Sequence, residues 1–199
     1  MKKKGTFIVI EGLDGCGKTT QTKLLVEKLR GNHDAVYTAE PSQGSIGAFI
    51  RTSILYREKR LPSAVEALLF AADRVDHVQN EVLPAMRQGK LVVSDRYLYS
   101  SLAYQGATGL SVEWIQKINE HALRPDLAIF IDVDPETVMR RLKPEKSVME
   151  KLETQQKVRE IYLKFVEDGD LVRIDGNKPK KAVAQELHAT VLKFLSSPH

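Results

Sequence analysis

The stretch Gly12-Leu13-Asp14-Gly15-Cys16-Gly17-Lys18-Thr19-Thr20 constrains this chain more than any other. It fits the spacing G-x-x-x-x-G-K-[ST]. An apolar, β-branched run, Phe7-Ile8-Val9-Ile10, precedes it, and a helix-like run, Lys18–Leu29, follows. Strand, glycine loop and helix form the setting in which this spacing carries a mechanism. Backbone N–H groups of such a loop and the N-terminus of the helix make a cradle for phosphate oxygens. Lys18 is placed to reach the outer phosphates, and the Thr19 hydroxyl to ligate Mg²⁺. The pattern predicts a nucleoside triphosphate on residues Gly12 to Thr20.

The rest of the chain alternates in the same way. Thr6–Glu11, Ala35–Thr38, Leu91–Ser94, Leu127–Asp132 and Leu171–Ile174 are short and apolar, as strands buried on both faces should be. Helical patterns fill the intervals: Lys18–Leu29, Ser63–Arg87, Val112–His121, Pro135–Arg141, Lys151–Val166 and Lys181–Leu195. This order implies a parallel sheet with right-handed crossovers in a layered α/β domain. With 199 residues and no repeat or linker, one domain over 1–199 is expected.

Ligands of such sheets sit at the carboxyl ends of the strands. Glu40-Pro41 follows the second strand, Asp95-Arg96-Tyr97 the third and Asp132-Val133-Asp134-Pro135 the fourth. Two aspartates thus end apolar strands, and either suits the acidic partner of a bound Mg²⁺. Asp95 is favoured, because a third strand lying beside the first would bring it next to Thr19. Asp132 is read instead as an N-cap for the helix opening at Pro135.

In the Ser63–Arg87 segment, Val65, Leu68, Leu69, Ala72, Val75 and Val82 follow helical spacing and predict a core stripe. Phe70 and Arg74 share another face, turned roughly 140° from Val65. They form either a stacking platform with a hydrogen-bond fork, or a cation–π or solvent-facing pair.

Bulk properties narrow the classes. Composition is ordinary for a globular protein, 42% hydrophobic and 28% charged, with a net charge of +4. Basic residues do not alternate with aromatics as on a nucleic-acid surface, so no nucleic-acid partner is expected. Lys2-Lys3-Lys4 before Phe7–Ile10 is too short a pattern for a signal peptide. No run approaches the ~20 apolar residues of a membrane span. A single cysteine excludes an internal disulfide and suits a reducing, cytoplasmic setting.

Taken together, these residues resemble the thymidylate kinases of archaeal and bacterial type. The resemblance rests on Gly12–Thr20, Glu40-Pro41, Leu68-Leu69-Phe70-Ala71-Ala72-Asp73-Arg74, Asp95-Arg96-Tyr97, Ser100-Ser101-Leu102-Ala103-Tyr104-Gln105-Gly106 and Asp132-Val133-Asp134-Pro135. It implies a P-loop, nucleoside monophosphate kinase-like fold, three layers α/β/α around a five-stranded parallel sheet. The implied reaction moves the γ-phosphoryl of ATP to dTMP with Mg²⁺, in a homodimer. It assigns the metal side to Thr19 and Asp95 and the acceptor's phosphate to Arg96. Phe70 would stack on thymine, Arg74 would donate to a thymine carbonyl, and Ser101 and Gln105 would complete the base edge. Tyr104 would pack under the sugar and exclude a 2′-hydroxyl, and Asp14 would hold the 3′-hydroxyl.

One departure stands out. Some members of that family carry an arginine inside the P-loop, where this chain has Asp14-Gly15-Cys16. Charge is then expected from a lid at about residues 140–151, holding Arg140, Arg141, Lys143, Lys146 and Lys151. Arg140 or Arg141 would act on phosphate through a bidentate guanidinium. The other reading of the pair is a solvated basic helix end. Cys16, close to Lys18 and a helix N-terminus, is either a thiol of lowered pKa that ATP protects or a small filler of a tight turn.

Two rivals remain. One is a kinase for another nucleoside monophosphate or a nucleoside, which the same fold hosts. The other is a nucleotide-dependent switch of the GTPase type. That class reads guanine with Asn-Lys-x-Asp, whereas here Asn177-Lys178 continues as Pro179-Lys180. The turn Ile174-Asp175-Gly176-Asn177 is expected against adenine, touching it mainly through backbone.

Overall fold

Strand β1 (Thr6–Gly12) is the axis of the molecule. In the computed structural model, which describes residues 5–55, 61–141 and 152–197, it pairs in parallel with β3 (Leu91–Asp95) on one side and β4 (Leu127–Asp132) on the other. With β2 (Ala35–Ala39) and β5 (Val172–Asp175) at the edges, the order is β2-β3-β1-β4-β5, all parallel. β1, β3 and β4 are buried along almost their whole lengths, which explains why their sequences are continuous apolar runs rather than alternating ones.

Helices α1 (Lys18–Leu29) and α9 (Lys180–Ser196) pack together on one face. The other face carries α5 (Leu98–Ala107) and α8 (Leu152–Glu167), with α3 (Ser63–His77) and α4 (Leu83–Arg87) alongside. This is a three-layer α/β/α fold. α6 (Val112–Ile118) is capped by Ser111, whose hydroxyl accepts the Trp114 N–H at 3.2 Å, and α7 (Pro135–Arg141) follows β4. The core runs through Phe7, Ile8, Ile10, Phe130 and Tyr162, with Tyr162 stacked on Phe130 at 4.6 Å between centroids. No helix among the described residues is long and apolar enough to cross a membrane.

Several expectations need correcting. The Ser63–Arg87 segment is not one uniform helix, since a π-helical turn, Val78–Val82, joins α3 to α4. Helix α2 (Ser45–Ile50), prolonged by a second π turn, Arg51–Leu55, was not anticipated, nor was α5. The expected core stripe of α3 faces the wrong way. Val65, Leu68, Ala72 and Val75 are exposed, and of the six named residues only Val82 is buried. The inward face consists of Glu66, Ala67, Ala71, Asp73, Arg74 and His77. A polar face can turn inward here because its groups are paired there, as described below.

Asp132 is not an N-cap. It is fully buried, and its carboxylate accepts Arg159 Nε at 2.6 Å, Arg159 Nη2 at 3.0 Å and Arg173 Nε at 2.8 Å. It ties β4 to β5 and α8.

Candidate active site

The loop between β1 and α1 is shaped by glycine. Gly17, directly before the helix, has φ 91°, a left-handed conformation that costs little only without a Cβ. No atom lies within 4 Å of where its Cβ would stand, so the backbone is open to a ligand. Lys18 is buried along the loop, its Nζ donating to the Leu13 carbonyl at 3.2 Å and standing 3.9 Å from Asp14 Oδ1. Thr19 and Thr20 are exposed at the start of the helix.

Parallel register brings β3 beside β1, with Asp95 opposite Ile10, as favoured above. Arg96 leaves the strand at φ 74°, a conformation that costs a non-glycine residue about 1–3 kcal/mol. Its N–H donates to Ile10 O at 2.9 Å, and its carbonyl accepts the Ser94 hydroxyl at 2.7 Å. The turn aims the side chain back at the P-loop. There Nη2 pairs with Asp14 Oδ1, Nη1 donates to Ser100 Oγ at 2.9 Å, and the guanidinium lies 5.0 Å over the Tyr104 ring. The Tyr104 hydroxyl in turn accepts the Asp14 N–H at 2.7 Å. Asp14 is therefore held by two residues of the β3–α5 region, and the phosphate loop and that region are joined.

Charges here are set by competing effects. Burial pushes the Asp14 carboxyl up, but the neighbouring cations Arg96 and Lys18 outweigh it and hold its pKa below the ordinary value. Burial pulls Arg96 down, and the Asp14 charge more than compensates, raising it well above the usual value. Both stay ionised near neutrality. The Tyr104 phenol is pushed far up, by burial first and by the Asp14 charge second, so it remains protonated.

Glu11 is a member of this cluster that sequence reasoning missed. It is fully buried at the end of β1 and accepts the Tyr97 N–H at 3.0 Å, the Ser100 hydroxyl at 2.6 Å and the Tyr162 hydroxyl at 3.1 Å. Burial raises its pKa despite those donors and despite Arg96. The signal available was a carboxylate closing an apolar strand with no local cation. Arg51 was also missed. It lies in the turn after α2 and donates to the carbonyls of Pro41 (2.7 Å) and Ser42, adding a cation at the edge where β2 ends.

A second group lies where α3 meets α5. Arg74 is buried, with Nη1 on Asn119 Oδ1 and Nη2 on Glu40 Oε2 (2.7 Å), Tyr97 O (3.1 Å) and Ser101 Oγ (3.0 Å). Its Nε–H has no partner among the described residues, and neither has Gln105 Oε1. A buried donor and a buried acceptor left unpaired are costly unless a ligand takes them. Phe70, one turn earlier on α3, is half-buried. Of the two readings of Phe70 and Arg74, the solvent-facing pair is excluded: Arg74 is buried and lies over Tyr97, at 5.2 Å.

The residues expected at a metal fit one. Asp95 is buried, receives the Tyr37 hydroxyl on Oδ2 at 3.4 Å, and has Oδ1 without a partner among the described residues. A carboxylate and a threonine hydroxyl are the hard oxygen donors Mg²⁺ takes.

On the far side of the P-loop is a cavity of about 250 Å³, bounded by Cys16, Gly17, Thr20, Arg141, Gly176 and Lys178. Its floor cannot be built with a larger residue at 176. A Cβ there would stand 2.5 Å from Val133 Cγ2 and 2.7 Å from Ile131 Cγ2. Arg141, at the end of α7, donates to the Cys16 carbonyl at 3.3 Å and so reaches the loop. Arg140 does not; it turns to Thr137 on its own helix, at 2.8 Å, and is exposed. Lys143, Lys146 and Lys151 lie outside the described residues. Cys16 is buried, and burial raises its thiol pKa against the pull of Lys18. The reading of a thiol of lowered pKa is thereby overturned, and the turn-filling one fits.

A parallel sheet of order 2-3-1-4-5, with a glycine loop at the end of its central strand and a cationic cleft beside it, defines a P-loop protein of the nucleoside monophosphate kinase type. The thymidylate kinase family model matches residues 10–187. The chain is 45% identical over 200 residues to a probable thymidylate kinase of Pyrococcus abyssi, covering 96% of each chain. To probable thymidylate kinases of Thermococcus onnurineus and Methanocaldococcus jannaschii it is 46% and 41% identical, over 84% and 97% of its length and 87% and 97% of theirs. This chain belongs to the thymidylate kinase family, a family of ATP-dependent phosphotransferases.

Proposed function

We infer that this protein transfers the γ-phosphoryl of ATP to dTMP, giving dTDP and ADP. The observation that carries the reading is the junction of Arg96 with Asp14. It sets a cation for the acceptor's phosphate directly against the loop that holds the donor. Family membership and the unpaired polar atoms of Arg74 and Gln105 support the base.

Phosphoryl transfer asks chiefly for positioning and charge neutralisation. The amides of residues 12–20 and Lys18 bind the triphosphate. Thr19 and Asp95 would hold Mg²⁺, which supplies positive charge to the phosphates when bound. Arg96 grips the acceptor's phosphate and keeps it in line with the donor. Asp14 orients Arg96 and takes the 3′-hydroxyl, while Tyr104 closes the space below the sugar. Phe70 stacks on the thymine. Arg74 and Gln105 present one donor and one acceptor to its edge, with Ser101 beside them. The adenine lies in the cavity beside Gly176. Arg141, rather than Arg140, is the α7 arginine placed to act on phosphate, in a lid spanning about 140–151 of one domain over 1–199. A homodimer is the proposed assembly, supported by the exposed apolar residues Phe49, Val65, Leu68 and Val75 of α2 and α3. The lone cysteine suits a cytoplasmic enzyme.

The test is a panel of acceptors with ATP and Mg²⁺. dTMP is expected to be phosphorylated with the highest kcat/KM. Faster turnover of dUMP, CMP or AMP would overturn the choice of substrate, and ATP turnover that needs no acceptor would favour the switch reading.

A further inference from the structure

Glu40 follows β2 directly and is almost fully buried. One of its oxygens, Oε2, receives Arg74 Nη2 at 2.7 Å. The other, Oε1, stands 3.2 Å from His77 Nδ1. The opposite ring nitrogen, Nε2, lies 2.6 Å from Thr38 Oγ1, and Thr38 donates to Glu81 Oε2 at 2.9 Å. Arg74, His77 and Glu81 come from one continuous helical segment, Thr38 from β2 and Glu40 from the residue directly after it. The result is a buried line of polar groups running from the base-reading arginine to the rim, where the Glu81 side chain is 37% exposed.

Arg74 needs such a holder. A guanidinium reads a carbonyl by direction, because its donors form a rigid planar fork. Asn119, Ser101 and the Tyr97 carbonyl also take its donors, but all three are neutral. Glu40 is its one ion-pair partner among the described residues. Charge-assisted hydrogen bonds are about twice as strong as neutral ones and fix geometry better. The backbone of Glu40 is itself anchored, its N–H donating to the Asp95 carbonyl at 3.1 Å.

We propose that Glu40, braced by His77 and Thr38, is a positioning residue that aims Arg74 at the thymine and thereby sets base selectivity. The proposal rests on the reading of Arg74 as a base contact, and its test separates the two. In Glu40→Gln the acceptor geometry is nearly kept and the charge is lost. The expected result is a KM for dTMP raised about 10- to 100-fold, by analogy with the residues that orient metal ligands. kcat and the KM for ATP should change less than about threefold, as expected when only acceptor binding is disturbed. Preference for dTMP over 5-methyl-dCMP, which carries an amine where thymine has its 4-carbonyl, should fall in parallel.

The loss must also vanish in an Arg74→Gln background, since Glu40 then has nothing to aim. An unchanged dTMP KM in Glu40→Gln, or losses that simply add in the double variant, would overturn the proposal. If Arg74→Gln itself keeps the wild-type KM and selectivity, the base contact fails and the proposal falls with it. Loss in Arg74→Gln but not in Glu40→Gln sinks the proposal alone. Should Glu40→Gln not fold, His77→Asn carries the test, because it leaves the Arg74–Glu40 pair and removes the brace. It should raise the dTMP KM in the same sense by several-fold, and an unchanged value would overturn the inference.

Discussion

Cys16 shows how a single side chain separates local sequence from local environment. Proximity to Lys18 and to a helix N-terminus predicts a reactive thiol, but the side chain faces into the core beneath the loop, where ionisation is opposed by lost hydration. Alkylation at neutral pH should therefore be slow, with the same rate in the presence and absence of ATP. Mass-spectrometric labelling with iodoacetamide measures this, and fast labelling that ATP suppresses would contradict it. Burial of this kind is invisible in a motif. The same limit applies to Glu11 and to the outward turn of Arg140, whereas Lys18, Asp95 and Arg96 were legible because their places follow from strand ends and loop spacing.

At the scale of elements, Asp132 joins three of them by one buried carboxylate. Asp132→Asn should lower stability by about 1.5–3 kcal/mol, the worth of hydrogen bonds to a charged group, since Arg159 and Arg173 are partly open to water and can be rehydrated. A fall in Tm of roughly 3–12 °C follows for a chain of this length, readable by calorimetry. All five strands were legible in the sequence, with ends moved by one residue or not at all, and most plainly the central β1, β3 and β4, because buried parallel strands write themselves as unbroken apolar runs. Helix α3 was placed correctly and turned wrongly. Its apolar stripe is outside, and the inner face carries Asp73, which holds the Ser42 N–H at 2.8 Å and its hydroxyl at 2.6 Å, together with Arg74 and His77. Periodicity locates a helix but does not say which side faces the core when the polar side has partners. Helix α5, not expected from the sequence, likewise turns polar residues inward, with Ser101, Tyr104 and Gln105 buried beside Leu102 and Ala103, so no apolar stripe marks its inner face.

For the whole molecule, the face of α2 and α3 bearing Phe49, Val65, Leu68 and Val75 is the surface to test for assembly. Leu68→Asp should leave folding within about 0.5 kcal/mol of wild type, as exposed substitutions usually do. The same substitution should convert a dimer to a monomer in light scattering after size exclusion, and a wild-type protein that elutes as a monomer would remove the dimer altogether. Elsewhere the molecule is organised around one shared residue. Asp14 belongs to the glycine loop between β1 and α1, yet its carboxylate is held by Arg96 and its amide by Tyr104, both from the β3–α5 region. A ligand that reorients Arg96 should thus perturb the glycine loop, and one that tightens the loop should preorganise Arg96. On the proposed reading, whatever coupling this junction creates between ATP and dTMP must be equal in both directions, so each substrate should alter the Kd of the other by one common factor.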